Sequence, residues 1–343
     1  MADPTVSRLG VDNLTTDDSF AQDNALFLKV FAGEILTTFE EKNVMKDLHT
    51  VRTISSGKTA QFPVTGIASA KYHTVGDNIA DGTKGYLSEI AHAERTINID
   101  NMLLASTFIA NMDEMKNHYE VRSIYAKELG KALAKRFDIA TMKVLVACAR
   151  QSANYTGGFG GTQLTGATLN TASGLVSALY SVAQSLDEKD APDEGRFAIL
   201  TPAQYYTLLT ADNVAINKDT SGGSADASKG VIMEVAGIKL YKSTHLTAIT
   251  GNEASQDQDD DGANNNPWAT DSGDDGTSDG TGYNNDMSSL GFIAGTKEAI
   301  GTVKLLDLAV ESEYKIELQG NIMVAKYAMG HNYLRPECAV EVQ

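Results

Sequence analysis

The spacing of apolar residues changes period along this chain, and each period implies a different element. Between Ala25 and Lys42 the residues Leu26, Phe27, Val30, Phe31, Ile35, Leu36 and Phe39 recur at helical spacing, which predicts a helix with one greasy face. No partner helix stands beside it in the sequence, so its cover is expected on another copy. Residues 1–24 are polar and aperiodic, predicting a mobile arm end. From Leu48 to Ile109 the rhythm is that of strands. Val51 to Ile54, Thr59 to Val64 and Glu94 to Ile99 alternate, with Gly76, Gly82 and Gly85 marking a tip between them. One long hairpin is expected here, marginal by itself in water and in need of a surface to lie on.

A second helical stripe, Tyr125, Leu129, Leu133, Phe137, Ala140, Val144 and Cys148, runs from about Asp113 to Arg150 with charged residues opposite. At ~1.5 Å per residue this would make a rod of ~50 Å. Gly130 inside it costs about 1 kcal/mol relative to alanine. The glycines between Gly157 and Gly166 read as a plain connector. Beyond them Leu175, Leu179, Val182 and Leu186 predict a helix, and Phe197 to Leu200 a short buried strand. Thr201-Pro202-Ala203-Gln204 is a helix start, with Thr201 as N-cap, Pro202 first in the helix and Gln204 closing a capping box. Gly237 to Tyr241 reads as a strand. At the C-terminal end Leu306 to Lys315 and Ile322 to Met329 alternate, with a turn expected at Gly330 and a last strand near Cys338 to Val342. These strands are expected to pack under the long helix.

The 343 residues allow about two domains, and 42% hydrophobic with 21% charged residues excludes collagen-like, coiled-coil and wholly disordered chains. The start MADPTVSRLG lacks a basic segment followed by an apolar one, and no run approaches the ~18 apolar residues of a membrane helix. The expectation is a protein made and used in the cytoplasm, away from membranes. Cys148 and Cys338 lack a CxxC partner and read as small buried apolar residues. A net charge of −17 argues against direct binding of nucleic acid, which needs cations to displace counterions from phosphate.

Candidate chemistry is sparse. Ser55-Ser56-Gly57-Lys58-Thr59 ends like a phosphate-binding loop, but Arg52 stands where the first glycine belongs and a strand pattern follows in place of a helix. The glycines at 157, 158, 160 and 161 miss the dinucleotide spacing, since the third would fall at Gln163. His49, His73, His92, His118, His245 and His331 are scattered, without a zinc-hydrolase pair or a nucleophile elbow. The acidic run from Glu253 to Asp286 is different. It holds ten acidic residues, and neither lysine nor arginine occurs between Lys242 and Lys297. Asp257, Asp259, Asp261 and Gly262 occupy the first, third, fifth and sixth positions of a calcium loop, while the twelfth is Trp268 where a bidentate glutamate belongs. Two readings stand: a calcium site built on Asp257, Asp259 and Asp261, and a solvated acidic surface insertion.

Three blocks carry a resemblance, in the same order along the chain: ALFLKVFAGEILTTFEEKNVMKDLHT onward to Asp77, NHYEVRSIYAKELGKAL from Asn117 to Leu133, and IGTVKLLDLAVESEYKIELQGNIMVAKYAMGHNYLRP from Ile300 to Pro336. Together, covering about a third of the chain, they resemble major capsid proteins of T-seven-like short-tailed phages. The resemblance implies an α+β, Hong Kong 97-like capsid fold. Its parts would be an N-terminal arm (1–47), an extended β-hairpin loop that overlaps a neighbouring subunit (48–110), a peripheral domain with a long spine helix (111–153 and 287–343), and an α/β axial domain (154–286) bearing the acidic insertion (253–286). It further implies a non-enzymatic subunit forming pentamers and hexamers of an icosahedral shell, assembled in the host cytoplasm with a scaffolding protein and a portal. Such a shell encloses double-stranded DNA without sequence-specific binding, and an acidic lining would repel phosphate. Lysine–asparagine cross-linking (Lys58, Lys71 or Lys84 with Asn321 or Asn332) occurs in one branch of that wider fold, but the resembled group does not rely on it. A bacterial nanocompartment shell of the same fold and a calcium-dependent surface adhesion protein are the rival readings.

Overall fold

Strands and helices alternate through a computed structural model in the order β1 (Thr50–Thr53), β2 (Thr59–Thr65), β3 (His92–Asn98), β4 (Leu103–Ala110), α1 (Arg122–Ala149), β5 (Thr162–Leu164), α2 (Ala172–Asp187), β6 (Phe197–Leu200), α3 (Pro202–Thr210), β7 (Ala225–Asp226), β8 (Val231–Ile232), β9 (Glu234–Val235), β10 (Ile238–Lys242), α4 (Thr244–Thr250), β11 (Phe292–Gly295), β12 (Ile300–Lys315), β13 (Gly320–Tyr333) and β14 (Ala339–Val342). The structure describes residues 43–66, 68, 70–81, 83–87, 90–100, 102–110, 122–155, 157–210, 225–226, 231–232, 234–250, 287 and 289–343. The arm end of 1–24, the apolar helix of 25–42, the first residues of the expected long helix and the acidic run lie outside the described residues.

The chain divides into two units. Among the described residues the first holds Asp100–Asp138 and Lys304–Met329. Here β12, β13 and β4 stand side by side, with Ala325 opposite Ala105 and Tyr327 opposite Leu103 in antiparallel register. The period of two along β13 puts Ala325, Tyr327 and Met329 on one face. That face meets the helical stripe Leu129, Leu133 and Phe137 of α1 and the strand residues Leu103 and Ala105. Each large side chain buried there contributes ~1.5 to 3 kcal/mol. Burial, with Asp100 nearby, pushes the Tyr327 phenol well above its ordinary range.

The second unit comprises Val44–Ile99, Ile139–Val303 and Gly330–Gln343. Its centre is a six-stranded mixed sheet in the order β5-β14-β11-β6-β10-β9, with β5–β14 and β6–β10 parallel. Every residue of β6, β11 and β14 is buried, as in a sheet covered on both faces. Leu175, Leu179, Val182 and Leu186 of α2, together with the second half of α1, close this core. Thr201 caps α3 as its sequence foretells. The Thr201 amide donates to Gln204 Oε1 at 3.1 Å and the Gln204 amide to Thr201 Oγ1 at 3.4 Å.

Several expectations change in the structure. The hairpin is shorter than the extended stretch around it, because only β2 and β3 pair with each other while β4 pairs with β13. The glycine-rich connector contains β5, whose Thr162–Leu164 finds parallel partners in Val340–Val342. The last strand, expected near Cys338 to Val342, lies in the six-stranded sheet between β5 and β11, apart from β12 and β13. Gly330 is a strand position rather than a turn. A Cβ there would stand 1.9 Å from the Asn98 carbonyl oxygen, so glycine marks a close backbone crossing. From Phe137 to Ala149 α1 is buried all round, Asp138, Thr141 and Lys143 included, so its charged face belongs to the first half alone. Cys148 and Cys338 are both buried free thiols. Burial raises both their pKa values, and for Cys148 the approach of Cys338 adds to the rise.

Two polar contacts in the second unit set its response to mutation and acid. The Arg150 guanidinium grips Glu341 with Nε to Oε2 at 2.7 Å and Nη2 to Oε1 at 2.5 Å, and Glu341 is wholly buried. Arg150→Ala leaves that buried carboxylate without its cation, with Gln343 Nε2 still donating to Oε1 at 2.9 Å, and urea unfolding of the unassembled subunit is expected to register a loss of about 3 kcal/mol. His331, also buried, is hydrogen-bonded through Nδ1 to Thr302 Oγ1 at 2.8 Å, and desolvation with the nearby His49 holds its pKa down to about 3. The unfolded chain therefore binds a proton that native His331 refuses. Stability is full above pH ~6.5 and falls as the pH drops from there toward ~3, by about 1.4 kcal/mol per pH unit for this group. His331→Asn should flatten that part of the acid unfolding curve relative to the native chain.

Candidate assembly surface

A two-stranded ribbon, β2 with β3, leaves the second unit, and its root is fastened while its tip is not. Thr59 pairs with Asn98 and Thr65 with His92 in an unbroken antiparallel register. At the root Ala60 and Ile97 are buried against Val303 and Leu334, with Ile54, Phe62 and Ile99 around them. Arg95 adds a polar fastening. Its Nε and Nη2 donate to Asn154 Oδ1 at 3.0 and 2.6 Å, its guanidinium carbon stands 4.2 Å from the Tyr333 ring centroid, and Asn154 Nδ2 donates to the Leu334 carbonyl. Farther out the alternation continues but little is covered, and most side chains of both strands are exposed or half-exposed.

Among the described residues the tip, between Gly66 and Ala91, has no strand of its own. It is nevertheless built. The Asp77 amide donates to the Thr74 carbonyl at 3.1 Å, closing a turn in which Gly76 takes a φ of +95° that a side chain would oppose. Asn78 and Asp81 each accept from a backbone amide two residues on, and the Lys84 amide donates back to the Asp81 carbonyl. The apolar residues of the tip point away from this framework: Tyr72 is 102% and Val75 97% exposed, and Ile79, Leu87 and Ile90 are also in water. The first unit has a smaller counterpart where β12 turns into β13, with Tyr314, Ile316 and Leu318 exposed.

The residues singled out for chemistry do not converge. Asp257, Asp259 and Asp261 lie outside the described residues. Lys58 sits in the bend before β2, where its carbonyl accepts from the Ile99 amide. Lys84 pairs with Asp77 at 3.4 Å, Asn332 donates to the Thr96 carbonyl, and Asn321 is a strand residue opposite Ile109. Among the described residues no three His, Cys, Asp or Glu side chains gather as a metal site, and no helix is long and apolar enough to cross a membrane. A cleft of about 510 Å³ beside the start of α2 is lined mainly by Ser, Thr, Gly and Ala, groups suited to contact rather than to proton transfer. The glycines mark the tip in the sequence, but its exposed apolar residues Tyr72, Val75, Ile79, Leu87 and Ile90 stand out only in the structure. In the sequence they are isolated apolar residues in a stretch punctuated by glycine, which neither a helical nor a strand period selects.

Known proteins place this arrangement. The family model described as Gp10A-like major capsid protein matches residues 61–343. The major capsid protein of Escherichia phage T7 is 33% identical over 330 residues, covering 92% of this chain and 90% of that protein. That of Enterobacteria phage T3 is 34% identical over 334 residues, covering 94% and 92%. Among solved structures, the capsid of Cyanophage P-SCSP1u superposes with a TM-score of 0.72 at 35% identity over 99% of this chain and 98% of that one. The mature capsid of bacteriophage PhiM1, at 16% identity and a TM-score of 0.66 over 89% and 88%, shares the fold. These likenesses favour the phage shell over a nanocompartment or an adhesion protein, and they fit an α+β capsid fold of the Hong Kong 97 type with no enzymatic role. A chain that projects a fastened ribbon with an uncovered apolar tip, and that matches these proteins over nearly its whole length, belongs to the Gp10A-like major capsid protein family and is a structural subunit of an oligomeric phage capsid.

Proposed function

We propose that this subunit forms the pentamers and hexamers of an icosahedral shell around a double-stranded DNA genome, and that the β2–β3 ribbon is the extended loop by which each copy overlaps the next. The observation that carries the reading is the ribbon tip, where Tyr72 and Val75 are almost wholly exposed on an ordered frame. Burying a tyrosine and a valine against a neighbour is worth ~3 to 6 kcal/mol gross, at ~1.5 to 3 each, before the costs of association. Contacts of that size, repeated around a shell, add to a firm structure while each stays weak enough to reverse.

Within this reading residues 1–47 act as the N-terminal arm, 48–110 as the extended loop, 111–153 with 287–343 as the peripheral domain, and 154–286 as the axial domain around the five-fold and six-fold centres. Assembly takes place in the host cytoplasm around a scaffolding protein and beside a portal. The net charge of −17 supports enclosure without a hold on DNA, since an acidic lining repels phosphate. The run from Glu253 to Asp286 is taken as a solvated insertion on the outer surface, where dense like charge keeps particles apart.

Expression of the chain with a phage scaffolding protein should yield closed shells or tubes by negative-stain electron microscopy. The double substitution Tyr72→Ser with Val75→Ser should leave the subunit folded, with an unchanged melting temperature, and unable to close shells; normal shells from it would remove the ribbon from the interface. Chelation of calcium should not move the melting temperature of assembled particles. A fall of several degrees would instead assign Asp257, Asp259 and Asp261 to a structural ion.

A further inference from the structure

We propose that a polar clasp centred on Asp77 pre-shapes the ribbon tip, holding Tyr72 and Val75 ready as anchors for a second copy of this chain. This rests on the docking role assigned to the ribbon above, and it names the residues that position the contact. The Asp77 carboxylate is the hub. Its Oδ2 accepts from the Tyr86 hydroxyl at 2.9 Å and its Oδ1 faces Lys84 Nζ at 3.4 Å. The same Tyr86 oxygen accepts from the Thr74 amide at 3.0 Å, so one phenol joins the outgoing side of the tip to the turn on its incoming side. His73 completes the frame. Its Nε2 lies 2.9 Å from the Asp77 carbonyl and its ring rests 5.3 Å from that of Tyr86.

What this clasp is made of bears on what it does. A loop held by its own apolar cluster would spend Tyr72, Val75, Ile79 and Leu87 on itself, whereas a loop held by hydrogen bonds leaves them for a partner. Val75 sits at the crown of the Thr74–Asp77 turn, and Tyr72 immediately precedes the clasped histidine. An ordered tip loses little freedom on docking, which is how preorganisation strengthens an interface without adding contacts. Exposed or half-buried hydrogen bonds within one loop and a surface ion pair add little to global stability, so the clasp has its effect locally.

Membership of an oligomeric capsid family points to another copy as the occupant, and charge permits it. The chain as a whole carries −17, so two copies repel, yet residues 70–87 contain Lys71 and Lys84 against Asp77 and Asp81 and are formally neutral. A neutral, apolar-crowned projection can approach another acidic subunit with little repulsive cost.

The test compares Asp77→Ala, Asp77→Asn, Tyr86→Phe and the Tyr72→Ser/Val75→Ser pair in full-length protein with scaffolding protein. The readouts are the concentration at which shells form, the melting temperature of the unassembled subunit and amide exchange across 71–87. Asp77→Ala is expected to raise the assembly concentration about tenfold, equivalent to about 1.4 kcal/mol, and to speed exchange in the tip with the melting temperature unchanged. Tyr86→Phe should act in the same direction. Asp77→Asn, which keeps an oxygen acceptor for Tyr86, should stay within about threefold of the native chain. If Asp77→Ala assembles at the native concentration while the anchor pair does not, the clasp is overturned and the docking role survives. If the anchor pair also assembles normally, both fall. A drop in melting temperature with Asp77→Ala would make Asp77 a stability residue and overturn its positioning role.

Discussion

A two-stranded ribbon keeps its shape in water only where something buries one of its faces. In this subunit that happens at one end. Ala60 and Ile97 sink into a small cluster with Val303 and Leu334, and Arg95 ties the same end to Asn154 and lies against Tyr333. The register from Thr59–Asn98 to Thr65–His92 carries the direction of that root outward, and Arg52, bonded to the Gln61 carbonyl and lying over the Phe62 ring, steadies β2 on the way. A projection fixed at its base and bare at its tip is a poor monomeric device and a good connector.

The division of labour between apolar and polar groups follows from where water is excluded. In the six-stranded sheet β6, β11 and β14 are covered on both faces, so affinity for the core comes from hydrocarbon, and the buried Glu341 is tolerated because Arg150 meets both of its oxygens. At the ribbon tip the order is inverted. Hydrogen bonds hold the frame and hydrocarbon is displayed, which is stable only when a surface of similar character covers it. The chain belongs to a family of oligomeric phage capsid proteins, in which neighbouring copies are at hand.

Much of the architecture was legible in the periods of the sequence. The helical stripe through Leu129, Leu133 and Phe137, the helix of Leu175 to Leu186, the strand Phe197–Leu200 and the capping box of Thr201 and Gln204 are local patterns, and each formed where it was expected. The short α4 and the strand β11 carried too few residues for a period to stand out. The tip residues escaped for another reason: Tyr72, Val75 and Ile79 obey no period, because their frame is a series of side-chain-capped turns.

By itself, then, the sequence determined the longer periodic helices and strands among the described residues and the greasy face of each, because side-chain periodicity is set by backbone geometry within a few residues. It determined the family as well, through collinear blocks near Ala25, Asn117 and Ile300. Only the tertiary structure decided that β14 lies between β5 and β11, that Gly330 is a crossing against Asn98 and not a turn, and that Arg150 pairs with a glutamate 191 residues away. Those outcomes depend on contacts between distant segments, whose energies no local window of sequence contains.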